Sequence, residues 1–430
     1  MKTGKRYINT IVKWMIPGIG VKRWLLLLGS GIAILSLGFS FLLKEFYPLP
    51  NFFYYLTFQF ISRGLRSGLF GLLGVSAVII ALINLNRSLL APFVETNPET
   101  VVNAVYDYRR RGRGPKIVAI GGGHGLSVLL RSLKKHTSNI TAIVTVADDG
   151  GSSGRLRREL GVLPPGDIRN CIAALADDEA LTTQLFQYRF GDVDSLNGHS
   201  FGNLFITAMA EVTGSFERAI LESGRVLAIR GRVIPSTLRD VTLMADLKAE
   251  ANGLCRVSGE SSITKANGSI ERVYLEPDDV PAYPEAIHAL LKADMIVAGP
   301  GSLYTSVLPN LLVPDVARAV EASSAIKVYV CNVATQCGET DTYTAEDHIK
   351  ALEAHVGSGI FSTILINNNL DVDFDPPPGV ELVSTNLTST RHYRVVAADL
   401  VDQTRPWRHD SDKLARALLN LLQQSKGVKQ

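Results

Sequence analysis

The residues of this sequence best suited to chemistry follow short apolar runs. A glycine-rich turn comes between the run 116–120 and leucines at helical spacing. Glycine lets backbone N–H groups approach a ligand closely, and a helix start adds partial positive charge. The turn therefore predicts phosphate binding, although a tight structural turn is the alternative. Its candidate residues are Gly121, Gly122, Gly123, His124 and Gly125.

The same turn argues against one class of enzyme. In a GxGxxG fingerprint that starts at Gly121, the third glycine would fall at position 126, which is a leucine. That pattern is the signature of dinucleotide binding. A nicotinamide oxidoreductase is therefore disfavoured.

A second polar segment follows the apolar run 140–147. Asp148 and Asp149 come first, and two carboxylates at a sheet edge could hold Mg²⁺ or bond a ribose. The next residues predict a flexible loop rich in hydrogen-bond donors, with an arginine fork for phosphate. The alternative is a solvated loop in which an aspartate caps a helix. The loop candidates are Gly150, Gly151, Ser152, Ser153 and Arg155.

Three further clusters could lie at the same edge. The segment LPPGDIRN places polar residues at a helix start, and NGHSFGNLF does the same before another helix. Asp167 could instead cap a helix, and His199 could instead have a structural role, so both alternatives stay open. The segment MIVAGPGSLYT repeats strand, glycine turn and helix, so one sheet would carry two anion-binding turns. The candidates are Asp167, Arg169, Asn170, His199, Asn203, Gly299, Gly301 and Ser302.

The elements that must position these residues alternate between strand and helix. Continuous apolar runs predict buried parallel strands, and periodic leucines and alanines predict helices. The alternation predicts an α/β protein with a doubly wound, mostly parallel, Rossmann-like sheet. The expected strands are 116–120, 140–147, 226–230, 295–298, 328–331 and 360–366. The expected helices are near 167–176, 200–211, 284–291 and 411–423.

Composition narrows the class further. The chain has 430 residues, 46% hydrophobic and 20% charged, which excludes general disorder. Four scattered cysteines without a CxxC pattern predict free thiols. Residues 1–115 contain 14 Lys/Arg against 4 Asp/Glu, and the remainder contains 30 against 37. This asymmetry suggests an anionic surface as the partner of the first part, and no nucleic acid as the partner of the body.

The N-terminal third predicts a membrane anchor. Residues 24–43 and 67–86 are free of charge, and each is long enough to cross ~30 Å of hydrocarbon as a helix. The connection 44–66 contains eight aromatic residues, which favour the bilayer surface. We expect a basic cytoplasmic segment at 1–23, a two-helix transmembrane hairpin at 24–87 and a basic linker at 88–115. The positive-inside rule then predicts a multi-pass protein of the cytoplasmic membrane, with its main domain in the cytoplasm.

The motifs closely resemble the YvcK/CofD-like family, also called the gluconeogenesis factor family. The resemblance covers residues 116–425 and is carried by IGGGHGLSVLLRSLK, ADDGGSSGRLRREL, GHSFGNLF, ADMIVAGPGSLYTSVLPNLL and VYVCNVATQCGETDTYTAEDHI. It implies a domain that binds UDP-sugars such as UDP-N-acetylglucosamine. It also implies a regulatory role linking carbon metabolism to cell shape and cell-wall growth, and a homo-oligomer. Within the family's basic–His–Asp element, Arg408 is implied to reach the ligand phosphates.

The resemblance leaves catalysis open. The family's other branch is similar in fold and transfers a 2-phospholactyl group with Mg²⁺, so a Mg²⁺-dependent transferase is the alternative function. No nucleophile paired with a general base can be identified from spacing, so no catalytic residue is assigned. One departure concerns binding: His124 stands where the family usually has threonine, which removes a hydroxyl and brings in a titratable ring.

Overall fold

A computed structural model describes residues 110–428 of the chain, with gaps at 177–179, 192–195, 250–252, 267, 373–375 and 386–392. It also describes scattered positions between 29 and 80. The chain divides into two compact units, Met1–Arg110 and Arg111–Gln430.

The prediction of a membrane-anchored, multi-pass protein is wrong. Within the described part of the chain, none of the helices combines the length and the apolar character needed to span a bilayer. Spanning requires about 20 continuous helical residues, and a charge-free run measures only apolar length. Much of 24–43 and 67–86, the segment 1–23 and most of the linker 88–115 lie outside the described residues. The division into these segments stays a prediction.

The second unit is built around a seven-stranded sheet whose neighbouring strands all pair in parallel. Its strands are β1 (Ile117–Gly121), β2 (Ile140–Val144), β3 (Arg232–Pro235), β7 (Met295–Ala298), β8 (Ile326–Val330), β9 (Thr363–Asn367) and β10 (Arg394–Ala398). Every residue of β1, β2, β7 and β9 is buried, as expected for strands covered on both faces. The predicted α/β, mostly parallel, Rossmann-like sheet is confirmed.

Helices follow most strands of this sheet. They are α1 (Gly123–His136), α2 (Gly151–Leu160), α3 (Gly166–Leu175), α4 (Ala180–Gln187), α5 (Phe201–Thr213), α6 (Phe216–Val226), α7 (Glu260–Ile263), α8 (Pro284–Leu291), α9 (Leu308–Leu311), α10 (Pro314–Ala322), α11 (Ala345–Val356) and α12 (Ser411–Val428). A short π-helix, Leu303–Val307, precedes α9. Apolar periodicity positioned α8 correctly, and α3, α5 and α12 begin within one residue of their predicted starts.

The chain reverses its direction of travel across the sheet between β1 and β7. The strand order is β10-β9-β8-β7-β1-β2-β3. The strands β2 and β3 are therefore added on one side of β1, and β8, β9 and β10 are added on the opposite side of β7. These two strands pair directly, with Ile117 opposite Met295. The turns that follow them therefore lie side by side at the carboxyl edge. Open α/β sheets bind ligands at this switch point.

Two parts of the fold differ from the predicted elements. A second sheet, of antiparallel order β5-β4-β6, comprises β4 (Thr242–Ala249), β5 (Gly253–Ser258) and β6 (Ser269–Glu276), and sequence reasoning missed it. The strand predicted at 226–230 is wrong, because α6 continues to Val226 and β3 begins at Arg232. A left-handed Ala228 and Gly231 make the connection.

The switch point depends on one close approach of backbone to backbone. A Cβ on Gly125 would lie 2.5 Å from the carbonyl oxygen of Pro300 and 2.6 Å from the Cα of Gly301. Backbone atoms cannot move aside as the end of a flexible side chain can. Only a residue without a side chain therefore fits between the two turns.

We expect Gly125→Ala to lower the free energy of unfolding by about 1–3 kcal/mol, the usual cost of overpacking. Gly112→Ala is the matched control, because a Cβ there meets no atom of the described residues within 4 Å. Chemical denaturation of both variants measures the difference. Equal stabilities would contradict the close approach.

Candidate functional site

A cavity of about 490 Å³ opens at the switch point. The turn before α1 and the turn after β7 both line it, together with the loop after β8 and the segment before α12. The two glycine turns that the sequence predicts separately therefore face one space. Lining residues from these segments include Gly122, Gly123, His124, Gly125, Gly301, Ser302, Asn332, Gln336, Trp407 and Arg408.

The first turn rests on a carboxylate. Gly122 is the N-cap of α1 without a side-chain cap, and Gly123 adopts a left-handed φ of +58°. A Cβ on Gly122 would collide with the Asp167 carboxylate, to which the Gly123 N–H donates a hydrogen bond. Asp167 thus occupies part of the space in front of the helix start. Gly121 is the last residue of β1 and lies behind the turn.

The second turn is held by side chains that sequence reasoning did not assign. The Gly301 N–H donates to Oδ1 of Asn332 (3.3 Å), and Nδ2 of Asn332 donates back to the Gly301 carbonyl (3.0 Å). The Ser302 hydroxyl donates to Oε1 of Gln336 (2.7 Å). Gly301 has φ +148°, a conformation open mainly to glycine. Gly299 does not line the cavity; a Cβ there would lie 3.0 Å from the Val330 carbonyl.

The Gly/Ser segment after Asp149 is a helix rather than a flexible loop. Gly150 is the N-cap of α2, which begins at the next residue. Oδ1 of Asp148 accepts a hydrogen bond from the Gly150 N–H (2.9 Å), but α2 has no side-chain cap, so the alternative of an aspartate cap is wrong as well. Oδ1 of Asp149 accepts from the Ser261 N–H (2.9 Å), so this carboxylate binds the backbone of α7.

Three predicted ligand residues contact one another instead of lining the cavity. Nδ1 of His199 lies 3.0 Å from the Ser152 hydroxyl, which also accepts a hydrogen bond from Nδ2 of Asn203 at 3.1 Å. All three side chains are buried. They join α2 to the start of α5. Ser153 is also buried nearby in α2, and Arg155 donates to the Asn197 carbonyl.

Two partly buried carboxyl groups, Asp167 and Glu260, line the cavity. Burial and the Asp148 carboxylate raise the pKa of Asp167 to about 7. The same two causes raise the pKa of Glu260 to about 9, and Asp167 and Glu339 add to that shift. Glu260 lies in α7 between strands of the small sheet, and sequence reasoning missed it because that sheet was not predicted.

The carboxyl groups do not form a complete metal site. Among the residues described, no group of three or more His, Cys, Asp or Glu side chains could hold a metal ion. Their oxygen atoms nevertheless suit Mg²⁺, which proteins commonly bind through one or two carboxylates plus substrate phosphates. Burial and the Asp148 carboxylate both disfavour the charged form of Asp167, and a cation beside the two carboxylates would offset this. A cation would therefore fit here together with a phosphate-bearing ligand.

Fold and site together define a Rossmann-like α/β protein with a glycine-lined cavity at its switch point. The sequence model of the family described as 2-phospho-L-lactate transferase CofD matches residues 117–423, and the chain belongs to this family. The family resemblance drawn from the motifs is confirmed.

The chain is also similar to individual proteins. The gluconeogenesis factor of Bacillus subtilis is 46% identical over 332 residues, covering 73% of this chain and 100% of that protein. A relative from Nostoc sp. is 45% identical over 438 residues, covering 96% of this chain and 92% of the relative. The crystal structure of a UPF0052 family member from Bacillus halodurans matches with a TM-score of 0.65 at 45% identity, covering 71% of this chain and 99% of that one.

A buried glutamate supports the second turn from behind. Oε1 of Glu339 accepts hydrogen bonds from the Thr305 hydroxyl (2.9 Å) and from Nε2 of Gln336 (2.8 Å). Its side chain is 4% exposed, and Oε2 has no hydrogen-bond partner among the described residues. Burial raises the pKa of Glu339 from 4.5 to about 7, against the opposing hydrogen bonds.

Glu339 should make stability depend on pH. Between pH 4.5 and about 7 the folded protein keeps this proton more tightly than the unfolded chain, so the free energy of unfolding falls as pH rises. Glu339→Gln should remove that contribution. The melting temperature of the variant minus that of the parent should increase from pH 4.5 to 7 and then level off. Glu321→Gln, at an exposed position, is the control, and a difference independent of pH for Glu339→Gln would contradict the prediction.

Proposed function

We propose that the cavity binds a UDP-sugar, of the UDP-N-acetylglucosamine kind, and that the protein is a regulator linking carbon metabolism to cell shape and cell-wall growth. The observation that carries this proposal is that both glycine turns line one cavity at the switch point. The name of the Bacillus subtilis relative, a gluconeogenesis factor, supports the metabolic part.

The chemistry of the cavity matches the parts of such a ligand. Apart from the Gly123 N–H, which donates to Asp167, the N–H groups in the first turn of α1 have no partner within the helix, and with its partial positive charge they suit a diphosphate. The exposed guanidinium of Arg408 adds positive charge at the rim. The indole of Trp407 offers a flat apolar surface for a base or sugar ring. The amides of Asn332 and Gln336 provide polar groups for hydroxyls.

Asn332 offers the sharpest test of binding, because it fixes the second turn by two hydrogen bonds. Asn332→Ala should weaken UDP-N-acetylglucosamine binding tenfold or more, about 1.4 kcal/mol. Asn368→Ala, at an exposed asparagine directly after β9, should leave affinity within about twofold. Isothermal calorimetry on folded protein measures both. A parent protein that does not bind this ligand would refute the proposal.

A Mg²⁺-dependent transferase acting on a phosphorylated small molecule is the second candidate. The match to a family described as a transferase favours it, as do the carboxyl groups beside the cavity. Asp148 and Asp167 would hold the ion with the ligand phosphates, where it would neutralise phosphate charge. The buried Ser152–His199 pair does not line the cavity, so it supplies no nucleophile there.

Replacing Asp148 and Asp149 one at a time distinguishes a carboxylate that would hold the ion from one that stabilises the fold. Asp148→Asn should remove any rise in melting temperature that requires both Mg²⁺ and nucleotide, because it removes one of the charges that would hold the ion. Asp149→Asn should instead lower the melting temperature without ligand, since this carboxylate binds the backbone of α7.

Differential scanning with UDP-sugars and with deazaflavin, each with and without Mg²⁺, measures both effects. Turnover of a phosphorylated substrate in the presence of Mg²⁺ would favour the transferase. Loss of the Mg²⁺-dependent rise in the Asp149 variant alone would contradict the assignment of Asp148.

A further inference from the structure

A second cavity, of about 360 Å³, lies next to the first and is strongly basic. The two cavities share His124 and Arg408 in their linings. Among the residues that the structure describes, no aspartate or glutamate lines the second one. Five arginines do: Arg131, Arg169, Arg189, Arg405 and Arg408.

These arginines come from four separate parts of the chain. Arg131 lies on α1, on the same face as His124 and Ser127. Arg169 belongs to α3, and Arg189 follows the end of α4. Arg405 and Arg408 precede α12. Folding therefore brings five positive charges together against their mutual repulsion, which is unfavourable unless an anion joins them.

The innermost arginine has an unused hydrogen-bond donor. Arg169 is only 6% exposed, and its Nη2 donates to Oδ1 of Asn170 at 2.8 Å. Its Nε is buried and has no hydrogen-bond partner among the described residues. Burial, followed by the charge of Arg189, lowers the pKa of Arg169 to about 10. A buried donor without an acceptor is unfavourable, and an anion in the cavity would supply the acceptor.

Within the described residues, the guanidinium groups in this cavity also lack the ion pairs that arginines form elsewhere on the protein. Arg157 pairs with Asp240, and Arg318 pairs with Asp315. In the described part of the chain, none of the five cavity arginines has a carboxylate oxygen within 4 Å of a guanidinium nitrogen. Their charge is available to a ligand.

We infer that the arginine-lined cavity is a second anion site, and that it takes a phosphate group with at least two negative charges, as in a phosphomonoester. Forked guanidinium groups match phosphate oxygens in pairs, and several arginines together suit a multiply charged group better than a single carboxylate. Burial, and after it the charge of Arg408, lowers the pKa of His124. Its ring lies at the junction with the first cavity. The inference goes beyond UDP-sugar binding and does not depend on it.

The phosphate group could belong to a separate small molecule or to the far end of a ligand that also occupies the first cavity. The chemistry of recognition is the same in both cases. Calorimetry with inorganic pyrophosphate as the probe, on the full chain, tests for the site, and the variants of Arg131 and Arg189 described below distinguish it from the glycine turns, which also suit a diphosphate. Repeating the titration with saturating UDP-N-acetylglucosamine distinguishes the two sources: unchanged pyrophosphate affinity indicates a separate molecule, and competition indicates one ligand that spans both cavities.

Arg131→Gln and Arg189→Gln are the decisive variants, because both side chains are exposed and neither lines the first cavity. Each should weaken pyrophosphate binding about tenfold. Arg318→Gln removes the same charge from an exposed arginine elsewhere and should leave the affinity unchanged. The inference fails if the parent does not bind pyrophosphate, or if both cavity variants bind it as tightly as the parent. A failure of UDP-sugar binding alone would refute the proposed function and leave this site standing.

Discussion

The direct pairing of β1 with β7 is the constraint on which the site depends. Because these strands run parallel and side by side, the turns that leave them must emerge at the same edge. Gly125 lets the turns approach to backbone contact, and Asn332 holds the second turn from the neighbouring loop. A cavity lined by two glycine turns follows from strand order, and neither turn could form it alone.

Charge is arranged asymmetrically around this edge. Carboxyl groups of Asp148, Asp167 and Glu260 lie towards the inner side, where burial and mutual repulsion raise the pKa values of the last two. Arginines line the neighbouring cavity, which shares His124 with the first, and the charge of Arg169 acts on Asp167. The glycine turns line the first cavity with backbone donors that carry only partial charge. Such an edge suits a ligand that combines phosphate groups with a cation, since each region compensates a different charge.

Several of the most distinctive motif residues stabilise the fold around the cavity rather than line it. Ser152, His199 and Asn203 join α2 to α5 in a buried cluster. Asp149 connects the end of β2 to α7, and thereby to the small antiparallel sheet. These contacts hold α2 and α7 beside the carboxyl groups. A long sequence motif therefore contains residues that pack around a site as well as residues that contact a ligand.

The sequence by itself determined the features that depend on neighbouring residues. Continuous apolar runs predicted the buried parallel strands, with β7 at its observed bounds, and glycines after such runs predicted both turns. The motif strings identified the family. Charge-free length suggested two membrane spans, and this prediction was wrong because apolar length alone does not establish a continuous helix.

The tertiary structure decided which distant residues meet. Glu260 reaches the cavity from α7, which lies between β5 and β6, two strands with many exposed residues and no continuous apolar run. Arg131, Arg189 and Arg405 are far apart along the chain, and each alone resembles an ordinary surface arginine. Their proximity results from strand order and helix packing. Local pattern reflects interactions within a few residues, whereas a charged cavity arises from contacts between elements that are far apart in the sequence.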